Sequence, residues 1–185
     1  MSTNKNKSLL NIVLSALFLA IALILPFFSA QLKEIGSMLL PMHIPVMLCG
    51  LVCGPAYGLT IGLIAPILRS ALFAMPVMFP SAISMAFELA TYGFVVGFLF
   101  QKARWKCIKS LYRCLLISMV SGRVVWGIVQ CILLGLGENG FTISMFVTSA
   151  IAKAIPGVIL QLLLIPTVML MLGKTHLVHI KHDKE

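Results

Sequence analysis

Six successive apolar runs, each broken by proline, glycine or a cluster of charge, leave this chain almost no way to fold in water. They cover residues 9–30, 38–53, 56–73, 80–101, 111–136 and 142–173. A helix crosses the hydrocarbon layer with roughly 20 apolar residues, and lipid forces backbone hydrogen bonds to close within each segment, so these runs predict helices. The alternation of a membrane barrel is absent. Composition agrees: 60% of the 185 residues are hydrophobic and 10% charged, against about 25% charged in soluble domains, and the mean hydropathy is +1.06. The expected fold is an all-α integral membrane protein, a compact bundle of six transmembrane helices. A single transmembrane domain is expected over residues 1–185, with short tails at 1–8 and 174–185.

The second run is short and is interrupted by Pro41 and Pro45, which predicts an irregular or partly re-entrant segment near His43. Gly54, Pro55, Ala56, Tyr57 and Gly58 then make a tight turn into the third. The first run follows Lys5 and Lys7 like a signal peptide. Its apolar core is longer than a signal's and no small-x-small cleavage site follows, so it reads as a retained helix.

Lysine and arginine give the orientation. Lys5 and Lys7 lie in the N-terminal tail, Lys102, Arg104, Lys106, Lys109 and Arg113 in the loop after the fourth helix, and Lys174, Lys181 and Lys184 in the C-terminal tail. An even helix count puts these ten of fourteen on one face and predicts both termini cytoplasmic, in a multi-pass protein of the cell membrane. The formal net charge of +9 therefore follows membrane topology. The basic residues flank apolar spans instead of forming one soluble face, which argues against nucleic acid.

Inside the spans lie four ionisable residues, Arg69, Glu88, Arg123 and Lys153. Such groups cost on the order of 3 kcal/mol on insertion scales and usually face a bundle interior or wet cavity. Three cations against one anion favour an anionic small ligand, provided all four share one cavity. Around Glu88, the residues Ser81, Ser84, Thr91 and Tyr92 make a polar stripe on the fourth helix. Arg123, Trp126 and Gln130 stand at i, i+3 and i+7 on the fifth, presenting a cation, an aromatic platform and an amide. Ser149 and Lys153 share a face of the sixth, just before Pro156 and Gly157. Two readings stand for Arg69: a site residue, or one near its helix end whose head snorkels to the interface. His43, a lone imidazole, reads either as structural or as a ligand contact near the outer gate. A bland alternative covers the whole set: Glu88 paired with one cation and the others merely accommodated.

Signatures of other chemistry are missing. Gly173-Lys174-Thr175 resembles the end of a phosphate-binding loop, but the earlier glycine position holds Val168 and no strand precedes it, so no ATP site is expected here. No zinc-protease motif and no paired carboxylates occur. Cys49 and Cys53, at i, i+4, read as buried small residues, and His176, His179 and His182 as a solvated tail; no metal site is expected. Gly58-xxx-Gly62 and Gly93-xxx-Gly97 allow close helix approach, expected inside the bundle, and Ala16-xxx-Ala20 offers another small-residue face.

Six helices in a short chain, the stretch Ala16-Leu17-Phe18-Leu19-Ala20 on the first helix, and the absence of a nucleotide site together resemble the substrate-binding S component of energy-coupling factor (ECF) transporters. Leu40-Pro-Met-His-Ile-Pro45 with Gly54-Pro-Ala-Tyr-Gly58, Phe87-Glu-Leu-Ala-Thr-Tyr-Gly93 and Gly122-Arg-Val-Val-Trp-Gly127 look like the vitamin-type members. The resemblance covers nearly the whole chain. It implies capture of a vitamin from outside, followed by docking onto a transmembrane T component driven by two cytoplasmic ATPases. ATP would be used by those partners, with no cofactor in this chain. It also implies that Ala16 and Ala20 form the docking face and that the subunit topples in the membrane to release substrate.

A cationic cavity poor in aromatics suits a carboxylate such as pantothenate, with folate, riboflavin or another vitamin as alternatives. The expected contacts are Arg123 and Lys153 to the carboxylate, Glu88 and Gln130 to hydroxyl or amide groups, with Trp126, Tyr92, His43 and Arg69 completing the set. No enzymatic activity is expected. Two other classes stay open: a small intramembrane enzyme using Glu88 and His43 as acid and base, and a ligand-free scaffold.

Overall fold

The computed structural model describes residues 2–30, 41–103, 107–134 and 155–174, and all their regular structure is helical. In chain order the helices are α1 (Ser2–Ala30), α2 (His43–Cys53), α3 (Pro55–Phe73), α4 (Ile83–Lys102), α5 (Ile108–Leu134) and α6 (Ile155–Lys174). Five apolar spans, Lys7–Phe27, Pro55–Phe73, Met78–Lys102, Ile108–Leu134 and Ile155–Gly173, are long enough to cross a membrane. The expected six-helix arrangement is present among the described residues, with α1 and α5 starting earlier than their apolar runs. Lys33, Ser149, Lys153 and the tail histidines lie outside the described residues.

The short helix is the one the bundle is built around. At 11 residues α2 rises about 16 Å, half the hydrocarbon thickness. Ten of those residues are buried, Val52 alone being partly open. It packs against α1, α3, α4 and α6, so protein rather than lipid surrounds it. Its start follows from local chemistry: Pro41 closes the preceding turn, and Pro45 sits in the first helical turn, where a missing N–H costs nothing. The irregularity expected near His43 is thus a helix that begins within the bundle. At the other end Gly54, with φ of 108°, turns the chain into Pro55, the first residue of α3.

Four glycines set how tightly α2, α3 and α4 cross. A Cβ on Gly93 of α4 would strike the Gly58 backbone of α3, and one on Gly50 of α2 or on Gly58 would strike the Gly93 carbonyl. One on Gly97 would lie 2.5 Å from the Gly50 carbonyl oxygen. The glycine pairs expected to pack internally do so, and they bring α4 close enough to lay Glu88 beside the start of α2. Elsewhere the interior is filled by Met47, Leu89, Leu115, Ile165 and Met169.

Two polar ties fix α1 against this core. Asn11 Nδ2 donates to the Cys53 carbonyl at 3.4 Å, and Arg69 Nη1 of α3 donates to the Leu23 carbonyl at 2.8 Å. The opposite side of α1, with Leu9, Ile12, Val13, Ala16, Leu17 and Ala20, is exposed. Between α3 and α4, Met78–Ala82 forms one wide turn with extended Phe79 inside it, and the Ala82 N–H donates to the Val77 carbonyl at 3.0 Å.

Candidate functional site

Three helices converge on one carboxylate oxygen. Glu88 of α4 is 2% exposed, and its Oε1 accepts the Tyr92 hydroxyl at 2.9 Å from one turn further along the same helix. Arg123 Nη1 of α5 reaches the same oxygen at 3.1 Å, and His43 Nε2, at the first residue of α2, lies 3.7 Å away. A buried carboxylate needs such partners, because desolvation without them would drive it to neutrality. The His43 and Tyr92 rings stand 5.2 Å apart and tilted by 54°. Gly122 makes the arrangement possible. A Cβ there would enter the Tyr92 ring, so the missing side chain lets α5 approach and carries Arg123 to Glu88.

The group is under-satisfied. Among the described residues, His43 Nδ1 and Nε2, Arg123 Nε, Gln130 Oε1 and Gln161 Nε2 are buried without a hydrogen-bond partner. The 3.7 Å from His43 to Glu88 is beyond hydrogen-bond range. These atoms lie on α2, α5 and α6, and each has hydrogen-bonding capacity open to a water or a bound molecule. Arg123 commits Nη1 to Glu88 while Nε stays unpartnered, leaving donor capacity on a guanidinium already fixed in place.

The four intramembrane charges do not gather into one cavity among the described residues. Arg123 and Glu88 neutralise one another, and Lys153 lies outside the described residues. Arg69 is held elsewhere: 8% exposed, it donates to Leu23 and lies 5.2 Å and 5.8 Å from the ring centroids of Phe27 and Phe73. Those rings pack edge to face at 4.6 Å. Its head is therefore enclosed between α1 and α3 rather than extended to an interface. Among the described residues the Glu88 group carries no cation surplus, and Lys153 lies outside them.

Other expected residues divide by face. Tyr92 is in the group, and Arg123, Trp126 and Gln130 form a half-buried face of α5. Ser84 is buried, but its hydroxyl donates to the Pro80 and Ser81 carbonyls at 3.0 and 3.1 Å and caps the wide turn. Thr91 lies between exposed Phe87 and Phe94 and donates back to the Phe87 carbonyl at 2.7 Å. Gln161 was not anticipated from the sequence. It is the one amide in the span Ile155–Gly173, and no spacing pattern marks it as a site residue.

Ala16 and Ala20 both lie on the exposed side of α1, one turn apart and away from the Glu88 group. Comparison with curated proteins and with solved structures gives no match. The family model described as ECF transporter, substrate-specific component, matches residues 10–169, from the first span almost to the end of the last. With five membrane-spanning helices around a buried polar group, this multi-pass plasma-membrane chain belongs to the substrate-specific components of ECF transporters.

Proposed function

We propose that the chain captures a carboxylate-bearing vitamin, with pantothenate the first candidate, and presents it to a T component and two ATPases for ATP-driven uptake. The observation that carries this reading is the Arg123 guanidinium, held by Glu88 at 3.1 Å yet with a buried Nε that has no partner among the described residues. A carboxylate bonded there would meet a cation already oriented, so little side-chain entropy is lost on binding. Lys153 is proposed as a second cation, and Gln130 as the acceptor for a hydroxyl or amide N–H of the same molecule. The site would lie in the outward-facing half if both termini are cytoplasmic, as the distribution of basic residues favours.

Titrating the purified chain in lipid nanodiscs with pantothenate, folate and riboflavin tests the assignment. Saturable binding of pantothenate by the wild type is expected, weakened more than about tenfold in Arg123→Lys, which keeps a cation beside Glu88 but removes the Nε donor. Equal affinity in the two proteins would count against the arginine contact. Preference for folate or riboflavin would replace pantothenate as the substrate.

Coupling to transport rests on the exposed small residues of α1. A flat Ala16 and Ala20 surface admits a partner helix closely, and ligand binding must favour the form that the partner accepts. Ala16→Trp and Ala20→Trp are expected to bind pantothenate within about twofold of the wild type, since neither position touches the Glu88 group, yet to abolish uptake in cells carrying the partner subunits. Normal uptake by both variants would rule out this docking face.

A further inference from the structure

The buried stripe of α6 consists of Gly157, Gln161, Ile165 and Met169, four residues apart in succession. Ile165 and Met169 are wholly buried and belong to the apolar core. Gln161, one turn above them, is 1% exposed, and its Nε2 has no hydrogen-bond partner among the described residues. An apolar side chain would fill this position without that penalty.

Its surroundings give the amide a use. The helix packs against α2 and α5, which carry His43, Arg123 and Gln130, the other residues with unpartnered buried atoms. Gln130 is seven residues beyond Arg123, about 10 Å along α5. By donor and acceptor type, Arg123 Nε and Gln161 Nε2 call for acceptors and Gln130 Oε1 for a donor.

We propose that Gln161 is a specificity-determining contact, its Nε2 donating to a neutral oxygen of the substrate, an amide carbonyl or hydroxyl, while the carboxylate goes to Arg123. This rests on the substrate-capture reading above and narrows it to hydroxy- or amido-carboxylates. A compact ion or a molecule without a second acceptor would leave Gln161 unpaired.

The test uses full-length chain in nanodiscs, wild type against Gln161→Met and Gln161→Leu, with two readouts. Melting temperature without added ligand is expected to stay equal or rise in the variants, because an unpaired buried amide is removed. Pantothenate affinity is expected to fall about tenfold or more, because the substrate oxygen is then left buried without a donor. A lower ligand-free melting temperature in both variants overturns the proposal, since the amide would then be bonded within the protein. Unchanged pantothenate affinity also overturns it. Should the wild type not bind pantothenate, that assignment fails by itself. The melting readout then still decides Gln161, a fall overturning the contact and an equal or higher value supporting it.

Discussion

Glu88→Ala is expected to be among the most damaging single changes in this protein, costing about 3–5 kcal/mol of stability. The glutamate is 2% exposed and its Oε1 is shared by Tyr92 and Arg123, with His43 nearby. Removing it leaves the Arg123 cation inside the bundle without its counter-charge and the Tyr92 hydroxyl without its acceptor. A buried pair broken on one side costs far more than the pair contributes when whole. The double variant Glu88→Gln with Arg123→Gln should therefore melt higher than Glu88→Ala, since it removes both charges and keeps hydrogen-bonding groups. Thermal unfolding in nanodiscs gives both values. A Glu88→Ala protein that melts with the wild type would mean that water or another group already satisfies Arg123.

Gly93→Leu should be at least as severe, by a different mechanism. The new side chain would enter the Gly58 backbone of α3, and that backbone is held in turn by the close approach of α2 through Gly50. Overpacking of an ordinary core costs about 1–3 kcal/mol because side chains can shift. Here the obstacle is the main chain of α3, itself backed by α2, so a loss above about 3 kcal/mol and little recoverable folded protein are expected. Phe94→Ala, at the adjacent exposed position, is the control and should fall within about 0.5 kcal/mol of the wild type. Recovery of Gly93→Leu at wild-type yield and melting temperature would show that the three helices can separate without penalty.

These two residues also show what could be read from the chain alone. Gly93 and Gly97 announced a close helix crossing by spacing, because only a missing side chain serves that purpose. Glu88 announced itself by cost, as the one anion within the apolar spans. Neither signal names a partner. Which cation meets Glu88 depends on how α4 and α5 are rotated, and Gly122 decides that by admitting the Tyr92 ring. Arg69, open in sequence between a site residue and a head at the interface, is spent instead on tying α3 to α1. The length of the apolar run 38–53 already gives a short α2, whereas its prolines point to an irregularity that resolves as the helix start at His43. Its central position could not be foretold, because an 11-residue apolar helix looks alike whether lipid or protein surrounds it. Thr91 fell on the wrong side because Glu88, Thr91 and Tyr92 span about 100° of helix surface, wide enough to straddle the edge of the buried face. Gln161 was passed over since one amide in an apolar helix carries no spacing pattern. Only burial without a partner distinguishes it.

A charge-balanced Glu88 and Arg123 pair alters the basis of the ligand argument. On the proposed reading, affinity for a carboxylate would rest on the oriented Arg123 donors rather than on excess positive charge. Neutral analogues of the substrate, such as the alcohol corresponding to pantothenate, should consequently bind more weakly but measurably.

Mass spectrometry of the small molecules that co-elute with the full-length chain, purified in mild detergent from cells grown in rich medium, tests the central claim most directly. Substrate capture predicts close to one carboxylate-bearing micronutrient per chain, lost from Arg123→Lys. A wild-type preparation that carries no small molecule and takes up none of pantothenate, folate or riboflavin on titration would contradict it.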